Sequence, residues 1–293
     1  MKIGVIGNGF VGKATCVLQN PDVEIIAYDV NPKMCNPLGT TLEDLKSCEL
    51  IFVSVPTPMN KDGSCYLGIV ESVVNSLKSN NIVNEPNNFV VIRSTVVPGT
   101  SDRLGCYFMP EFLTEKNFLQ DFKNCSEWIF GLKGTNQEHD QIFKNKIIKL
   151  FGFAKSHGCI ESDSTNFVLN REAEMIKYFR NCFLAMKVSF CNEIYDYCQL
   201  SGINYENVRY LATKDERIRP SHSSVPGHDG KRGYGGTCFP KDTKALLHSM
   251  RELGMKSYMF EAMNTRNDTV DRVEHDWNSN VGRSVIETEK SSQ

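Results

Sequence analysis

The chain has 293 residues, with 33 basic and 35 acidic side chains, a net charge of −2 and a pI near 6.3. This length predicts two domains, and the nearly balanced charge lacks the basic surface expected of a nucleic-acid binder. No apolar run approaches the roughly 20 residues that a membrane-spanning helix needs, and no signal peptide is visible, so we expect a soluble cytoplasmic protein without a membrane partner.

The first half alternates strand-like and helix-like segments. Short β-branched apolar runs predict strands at 2–6, 23–28, 50–55, 89–93, 107–109 and 128–132. Amphipathic segments predict helices between them, at 11–18, 41–46, 69–78 and 140–150. Such alternation predicts an α/β domain at residues 1–164, with a Rossmann-like, doubly wound, mostly parallel sheet.

The second half changes to an all-α pattern built on one long helix. Residues 170–200 contain neither Gly nor Pro, and Gly202 then supplies a stop signal. At 1.5 Å per residue such a helix is about 45 Å long, which suits a spine or a subunit interface. Apolar residues recur at spacings of three and four and predict one helix face: Ile176, Phe179, Phe183, Met186, Phe190, Ile194 and Tyr197.

The remaining segments complete the predicted second domain. A loop rich in glycine and proline follows at 217–236, and helices are predicted at 241–253 and 258–273. We assign 165–278 to a helical substrate and dimerisation domain, and 279–293 to a polar, flexible tail.

A glycine-rich loop follows the first predicted strand and opens the first predicted helix. Gly7 permits a tight turn, Gly9 allows the backbone to approach a pyrophosphate, and Gly12 lets helix and strand pack closely. The N–H groups at the start of the helix then bind phosphate. Asp29 ends the second strand, where a carboxylate accepts hydrogen bonds from a ribose 2′-hydroxyl and repels the 2′-phosphate of NADP, so the sequence favours NAD.

The same loop overlaps with the start of an NTPase phosphate-binding motif. Gly7, Gly12 and Lys13 match that motif, but it requires Ser or Thr next to hold Mg²⁺, and Ala14 stands there. A comparison of NADH binding with ATP binding separates the two interpretations.

The 11 cysteines are odd in number and include no C-x-x-C pair, so we expect reduced thiols, mostly in the core, and no metal site. Cys238 differs from the others because it follows two glycines and lies near the start of a predicted helix. A helix start and the nearby Lys241 both favour a thiolate, and Asp242 lies one turn further on. We therefore expect Cys238 to be a nucleophile, although a single cysteine is ordinarily a small core residue.

Polar residues also recur along the long helix. Lys177 and Asn181 are four residues apart and share a face, and Asn192 returns to nearly that face about three turns later. A solvated polar face is the ordinary explanation, so the spacing alone leaves a catalytic role open.

Taken together, these motifs resemble the UDP-glucose/GDP-mannose dehydrogenase family, in the family's order from residue 2 to about residue 266. Any single piece can arise by chance, but their occurrence together in the family's order is specific. Besides the glycine loop, they are Val55-Pro56-Thr57-Pro58 with Asp62-Gly63, Ser94-Thr95-Val96-Val97-Pro98-Gly99-Thr100, Pro110-Glu111-Phe112-Leu113 with Glu115, Glu174 with Lys177-Tyr178 and Asn181, Lys187-Val188 with Phe190 and Asn192-Glu193, Asp215 with Arg217-Ile218, and Gly235-Gly236 with Cys238-Phe239-Pro240-Lys241-Asp242.

The resemblance implies a four-electron oxidation of a sugar primary alcohol to the uronate, with two NAD⁺ as oxidants and UDP-glucose as the expected nucleotide-sugar substrate. Cys238 would attack the intermediate aldehyde and then carry the acyl group as a thioester. Lys177 and Asn181 would stabilise the oxyanion. By the same resemblance, Thr95 and Asp242 would hold the hydrolytic water, and Glu111 is a candidate general base.

The resemblance also implies binding contacts. The expected cofactor contacts are Gly7, Gly9, Phe10, Val11, Gly12, Asp29, Lys33, Val55, Pro56, Thr57, Thr95, Glu115 and Lys241. The expected substrate contacts are Glu111, Phe112, Leu113, Glu115, Lys177, Asn181, Arg217, Tyr234, Gly235 and Cys238. Arg217 would reach the substrate of a partner subunit, and the long helix would form a homodimer.

Family members usually continue into a third domain that closes over the nucleotide sugar, whereas this chain ends at Gln293. We expect a short form with a complete catalytic set that holds its substrate differently. Two other functions stay open. A two-electron β-hydroxyacid dehydrogenase would give Cys238 no role and yield one NADH per substrate, and a non-catalytic binder of NAD or a nucleotide sugar would reduce no NAD⁺.

Overall fold

The computed structural model describes residues 1–286. Backbone contacts divide the chain into two compact units, one of Met1–Thr57 with Leu67–Lys177, and one of Pro58–Tyr66 with the chain from Tyr178 onward. The division therefore lies within the long helix rather than at residue 164. The reason is that the segment after residue 164 is a strand of the first unit's sheet.

The first unit is built on one seven-stranded sheet with the order β2-β1-β3-β4-β5-β6-β7. Neighbouring strands pair in parallel except β5 with β6, which confirms the predicted mostly parallel α/β fold. The last strand was not predicted. The strands are β1 (Lys2–Ile6), β2 (Glu24–Tyr28), β3 (Leu50–Val53), β4 (Phe89–Ile92), β5 (Tyr107–Phe108), β6 (Trp128–Leu132) and β7 (Thr165–Leu169).

Helices cover the sheet of the first unit. Along β3, Leu50 and Phe52 join one apolar core and Ile51 and Val53 join another, because successive side chains of a strand point to opposite faces. The segment predicted as a helix at 41–46 is a 3₁₀ turn, and two short helices, at Thr100–Leu104 and Phe118–Lys123, were not predicted. The helices are α1 (Phe10–Thr15), α2 (Gly68–Ser79), α3 (Thr100–Leu104), α4 (Phe118–Lys123) and α5 (Gln137–Ser156).

The second unit is helical. Its segment Pro58–Tyr66 joins the described part of the predicted tail, where Met59 N–H donates to the carbonyl of the buried Ser284 at 2.8 Å. The rest of that predicted tail, residues 287–293, lies outside the described residues. The helices are α6 (Asn170–Leu200), α7 (Tyr205–Ala212), α8 (Phe239–Glu252) and α9 (Tyr258–Arg266), followed by a π-helical turn at Asn267–Asp271. The first residues of α6, up to Lys177, belong to the first unit.

Within the second unit, the polar face of α6 is buried and its apolar face is exposed. Asn181, Ser189 and Asn192 are at most 8% exposed, whereas the aromatic side chains on the opposite face are 59–66% exposed. The explanation of the polar face as a solvated surface is therefore wrong, because its amides bind other parts of the unit. The exposed aromatic residues are Phe179, Phe183, Phe190 and Tyr197.

Within residues 1–286, no helix is both long and apolar enough to cross a membrane, and no cluster of His, Cys, Asp or Glu is arranged to hold a metal ion. Six of the eleven cysteines are buried. Burial raises the pKa of Cys48 and of Cys106 to about 12, which marks these thiols as unreactive core residues.

Candidate active site

The three glycines of the loop at 7–12 occupy different surroundings. Gly7 has a φ of +83°, and its N–H donates to Tyr28 C=O at 2.9 Å. A Cβ added at Gly12 would collide with the Gly7 carbonyl oxygen, whereas a Cβ at Gly9 would meet no atom within 4 Å. Gly7 and Gly12 are thus required by the turn and by packing, and Gly9 leaves open space for a ligand's phosphates.

Asp29 is fixed beside this loop by backbone donors. Its Oδ2 accepts from Asn8 N–H and its Oδ1 from Asn31 N–H, both at 2.8 Å. Each carboxylate oxygen can accept more than one hydrogen bond, so capacity remains for ribose hydroxyls. The open space at Gly9 and the carboxylate at the end of β2 fit an NAD molecule.

The ends of β3 and β4 are tied together by hydroxyl groups. Ser94 Oγ donates to Val55 C=O at 2.7 Å and accepts from Val55 N–H at 3.0 Å, and Thr57 Oγ1 donates to Thr95 C=O at 2.7 Å. Both threonines are buried. The structure therefore brings together three of the predicted cofactor contacts. Of the others, Lys33, Pro56 and Glu115 are exposed, and Phe10 and Val11 are half-buried.

A buried ion pair joins Glu111 to Lys177 in the first unit. Lys177 Nζ lies 2.6 Å from Glu111 Oε1 and 2.7 Å from the Glu111 carbonyl oxygen, and Glu111 Oε2 accepts from Leu113 N–H at 2.8 Å. Burial alone raises the pKa of Glu111, but Lys177, this N–H and the nearby Arg93 lower it below its ordinary value. With both oxygens engaged, Glu111 is an anionic partner of Lys177, which makes it a weaker proton acceptor than a general base requires.

Arg93 and Glu174 are buried charged residues of the first unit to which the sequence gave no role. Arg93 is 2% exposed, bonds to Thr15 Oγ1 and lies 5.5 Å from the centre of the Phe122 ring. Burial lowers its pKa to about 10. Glu174 accepts from Gly99 N–H at 2.5 Å and Ser101 N–H at 2.8 Å, and so binds the start of α3. The sequence does hold one indication of the role of Arg93, because this charged residue directly follows the apolar run of a buried strand.

In the second unit, Cys238 occupies the N-cap position of α8 and is half-buried. Its carbonyl oxygen accepts from Asp242 N–H at 2.9 Å, which starts the helix at the thiol. The Thr237 hydroxyl oxygen lies 3.7 Å from Cys238 Sγ. The thiol is thus held at a helix N-terminus, where the helix dipole favours a negative charge.

Asp242 binds two side chains at the start of the same helix. Its Oδ1 lies 2.6 Å from Lys241 Nζ, and its Oδ2 accepts from Asn181 Nδ2 at 2.6 Å. Burial alone lowers the pKa of Lys241, but Asp242, Cys238 and Cys65 raise it above its ordinary value. Lys241, predicted as a cofactor contact, is therefore a half-buried ammonium ion whose charge interacts with the Cys238 thiol.

The predicted substrate contacts of the second unit differ in exposure. Tyr234 is 3% exposed and its hydroxyl donates to Asn264 Oδ1 at 3.2 Å, so its side chain packs inside the unit. A Cβ added at Gly235 would lie 2.5 Å from Arg272 Nη2, whereas one at Gly236 would meet nothing within 4 Å. Open space is thus found at Gly236 and not at Gly235. Arg217 is exposed and pairs with Asp215 at 2.5 Å.

Comparison with known protein families matches most of the chain to one family. The model of the NAD-binding domain of the UDP-glucose/GDP-mannose dehydrogenase family matches residues 37–147, and the model of that family's central domain matches residues 171–269. The first match begins after the glycine loop, so it is independent of that motif. It confirms NAD as the cofactor.

Individual relatives agree with these matches. UDP-glucose 6-dehydrogenase of Pseudomonas aeruginosa is 29% identical over 91% of this chain, and that of Rhizobium meliloti is 30% identical over 83%. The chain spans 65% and 55% of these two relatives. Among solved structures, a UDP-glucose dehydrogenase of Pyrobaculum islandicum has the same fold, with a TM-score of 0.73 and 24% identity over 91% of this chain and 68% of its own.

Proposed function

We propose, from the premise that the chain belongs to the UDP-glucose/GDP-mannose dehydrogenase family, that it oxidises the primary alcohol of a nucleotide sugar to a carboxylate. UDP-glucose is the proposed substrate, because several relatives are named UDP-glucose 6-dehydrogenase. When bound, NAD⁺ supplies the hydride acceptor, and two equivalents are consumed per sugar.

The observation that carries the proposal is the placement of Cys238 at the N-terminus of α8, together with the interaction of its thiol with the half-buried Lys241 ammonium group. A helix N-terminus and an adjacent ammonium ion both favour the thiolate, which is the nucleophilic form of cysteine. The Cys238 thiolate adds to the aldehyde carbon left by the first oxidation, giving a thiohemiacetal. The second oxidation of that carbon leaves a thioester on Cys238, and water releases the carboxylate and the thiol.

The buried polar residues supply charge stabilisation and orientation. We assign Lys177 and Asn181 to the developing oxyanion, since each is held by a buried carboxylate, Glu111 and Asp242 respectively.

For Glu111 we propose a modified role. Its lowered pKa and its engaged oxygens support the task of orienting Lys177, and in the resting state they oppose proton abstraction. Glu111 can accept a proton only after Lys177 shifts its bond toward the substrate oxygen.

We also propose that the chain forms a homodimer through α6. Phe179, Phe183, Phe190 and Tyr197 form a continuous aromatic face, and the rings of Phe179 and Phe183 stack with their centres 6.3 Å apart. Four exposed aromatic side chains on one helix face mark an interaction surface. A second copy of the same helix covers it symmetrically. The cytoplasmic location stays a prediction.

The test of the proposed function is NADH formation with UDP-glucose, GDP-mannose and UDP-N-acetylmannosamine, with the NADH yield per sugar recorded. The proposal predicts two NADH per sugar and a uronate product with UDP-glucose. One NADH per substrate would favour a two-electron β-hydroxyacid dehydrogenase. Measurable NADH binding without reduction of NAD⁺ by any of the three sugars would favour a non-catalytic binder.

A further inference from the structure

The loop that leads into Cys238 lies directly against the π-helical turn that follows α9. This turn is marked by the hydrogen bond from Arg272 N–H to Asn267 C=O, which spans five residues at 2.8 Å. Turns of this kind are rare and occur frequently at functional sites. Here the turn directs two buried side chains, Asn267 and Arg272, toward the loop.

The Asn267 side chain binds both backbone groups of Tyr234, its N–H and its C=O. Its Oδ1 accepts from Tyr234 N–H at 2.8 Å and its Nδ2 donates to Tyr234 C=O at 3.0 Å. The Asn267 side chain is fully buried. A two-point contact of this kind fixes both the position and the orientation of the loop backbone four residues before the thiol.

Arg272 holds the neighbouring part of the loop. Its guanidinium group donates to Arg232 C=O at 3.1 Å, to Asp229 Oδ2 at 2.6 Å and to Asp276 Oδ2 at 2.7 Å, and the residue is 2% exposed. The loop has no room for side chains where it crosses these groups. A Cβ added at Gly233 would lie 2.5 Å from Asn267 Oδ1, and a Cβ added at Gly235 would lie 2.5 Å from Arg272 Nη2.

A second set of contacts fixes the other side of the thiol. Asn264 Oδ1 accepts from Tyr234 Oη at 3.2 Å and from Thr243 Oγ1 at 2.9 Å, and Thr243 lies in the first turns of α8. Cys238 therefore lies between two anchored points of the chain, Tyr234 and Thr243. Both points are held by side chains that project from α9 and the π-helical turn.

We propose that Asn267 and Arg272 are positioning residues that set where the Cys238 thiol points. The proposal rests on the proposed function, in which Cys238 is the nucleophile. Asn267 and Arg272 act through the Gly-Tyr-Gly-Gly backbone at 233–236, whose glycines allow contact with the π-helical turn. Because an error of about 1 Å at a reacting atom costs on the order of 100-fold in rate, a loosened loop lowers kcat without removing any reacting group.

The test compares Asn267→Ala and Asn267→Asp with the control Tyr205→Phe. Tyr205 is likewise buried in the same unit, where its Oη donates to Ser223 C=O at 2.7 Å rather than to the backbone that leads into Cys238. Asn267→Asp keeps the size and the acceptor of the side chain, but it replaces the donor to Tyr234 C=O by a carboxylate oxygen and adds a buried charge. The readouts are urea unfolding, kcat and KM with UDP-glucose, and the pH profile of Cys238 alkylation by iodoacetamide, followed on the Cys238 peptide by mass spectrometry.

We expect Asn267→Ala to lower kcat roughly 10- to 100-fold with a smaller change in KM, and to slow the alkylation of Cys238 at neutral pH. Tyr205→Phe should lose comparable stability with an unchanged alkylation profile. If Asn267→Ala does not fold, Asn267→Asp carries the test and should change kcat and the alkylation of Cys238 in the same direction, because it also loses the bond to Tyr234 C=O. An Asn267→Asp protein whose alkylation profile and kcat match those of Tyr205→Phe would overturn the proposal. Alkylation requires no turnover, so it tests the positioning role even if the proposed dehydrogenase activity is absent.

Discussion

Lys177 and Glu111 form an ion pair of 2.6 Å between Nζ and Oε1, in which both side chains are at most 6% exposed. Lys177 also donates to the main-chain carbonyl of Glu111, so the lysine binds this residue at two points. A buried charge is costly unless it is paired, which makes each partner necessary to the other. The pair is therefore both a structural element and a candidate part of the catalytic machinery.

Lys177→Met should destabilise the protein by roughly 3–5 kcal/mol, because it leaves the Glu111 carboxylate buried without its cation. Adding Glu111→Gln should restore part of this loss. The control is Lys155→Met, which removes an equally short pair of 2.6 Å with Asp163, where both side chains are exposed. That change should cost less than about 1 kcal/mol. Urea unfolding gives the free energy of unfolding of the wild type, the two single lysine variants and the double variant. Equal losses of stability in Lys177→Met and Lys155→Met would contradict the role of burial.

Acid should remove the contribution of Glu111 to stability. Its folded-state pKa lies below its ordinary value, so the stabilisation is present above the ordinary glutamate pKa of about 4.3 and is lost as the pH falls through the folded value. The stability difference between the wild type and Glu111→Gln should therefore be constant from neutral pH down to about pH 5 and shrink below about pH 4. A difference that grows on acidification would contradict the lowered pKa.

The glycine loop offers a matched pair of substitutions. Gly12→Ala should destabilise the first unit by about 1–3 kcal/mol, because its Cβ meets the Gly7 carbonyl oxygen in a close-packed turn. Gly9→Ala should leave stability nearly unchanged, since its Cβ meets nothing within 4 Å, and should weaken NADH binding. Thermal unfolding and NADH fluorescence titration distinguish the two effects. Normal NADH affinity in Gly9→Ala would show that the cofactor does not approach this backbone.

The aromatic face of α6 should determine the oligomeric state. Phe183→Asp and Phe190→Asp should convert a dimer into a monomer in light scattering coupled to size exclusion, because each places a charge in the proposed apolar interface. The control is Leu253→Asp, which changes an 84% exposed leucine at the C-terminus of α8 and should leave the dimer intact. A wild-type monomer at micromolar concentration would contradict the proposed dimer.

The sheet was predictable because its strands are short apolar runs between turn signals, and β1 and β6 have the predicted bounds. Strand β7 was missed because Thr165–Leu169 has no fully buried residue and runs directly into α6 without a turn signal. Because this strand was missed, the first domain was predicted to end at residue 164, whereas the first unit continues to Lys177.

Which face of α6 is buried could not be read from spacing. Periodicity identifies two faces, one aromatic and one polar, and general experience places the aromatic face inside. The polar face is buried because Asn181 binds Asp242 and Asn192 accepts from Gly233 N–H, contacts between residues more than 40 positions apart in sequence. Asn267 and Arg272 were missed for a related reason, since a π-helical turn breaks the helical period that a pattern search uses.

The measurement that tests the central claim most directly is the count of NADH and uronate formed from UDP-glucose by the wild type and by Cys238→Ala. The account predicts two NADH and one uronate per sugar for the wild type. It predicts no uronate for Cys238→Ala, because neither the thiohemiacetal nor the thioester can form without the thiol. A Cys238→Ala protein that yields two NADH and a normal amount of uronate would contradict the covalent mechanism.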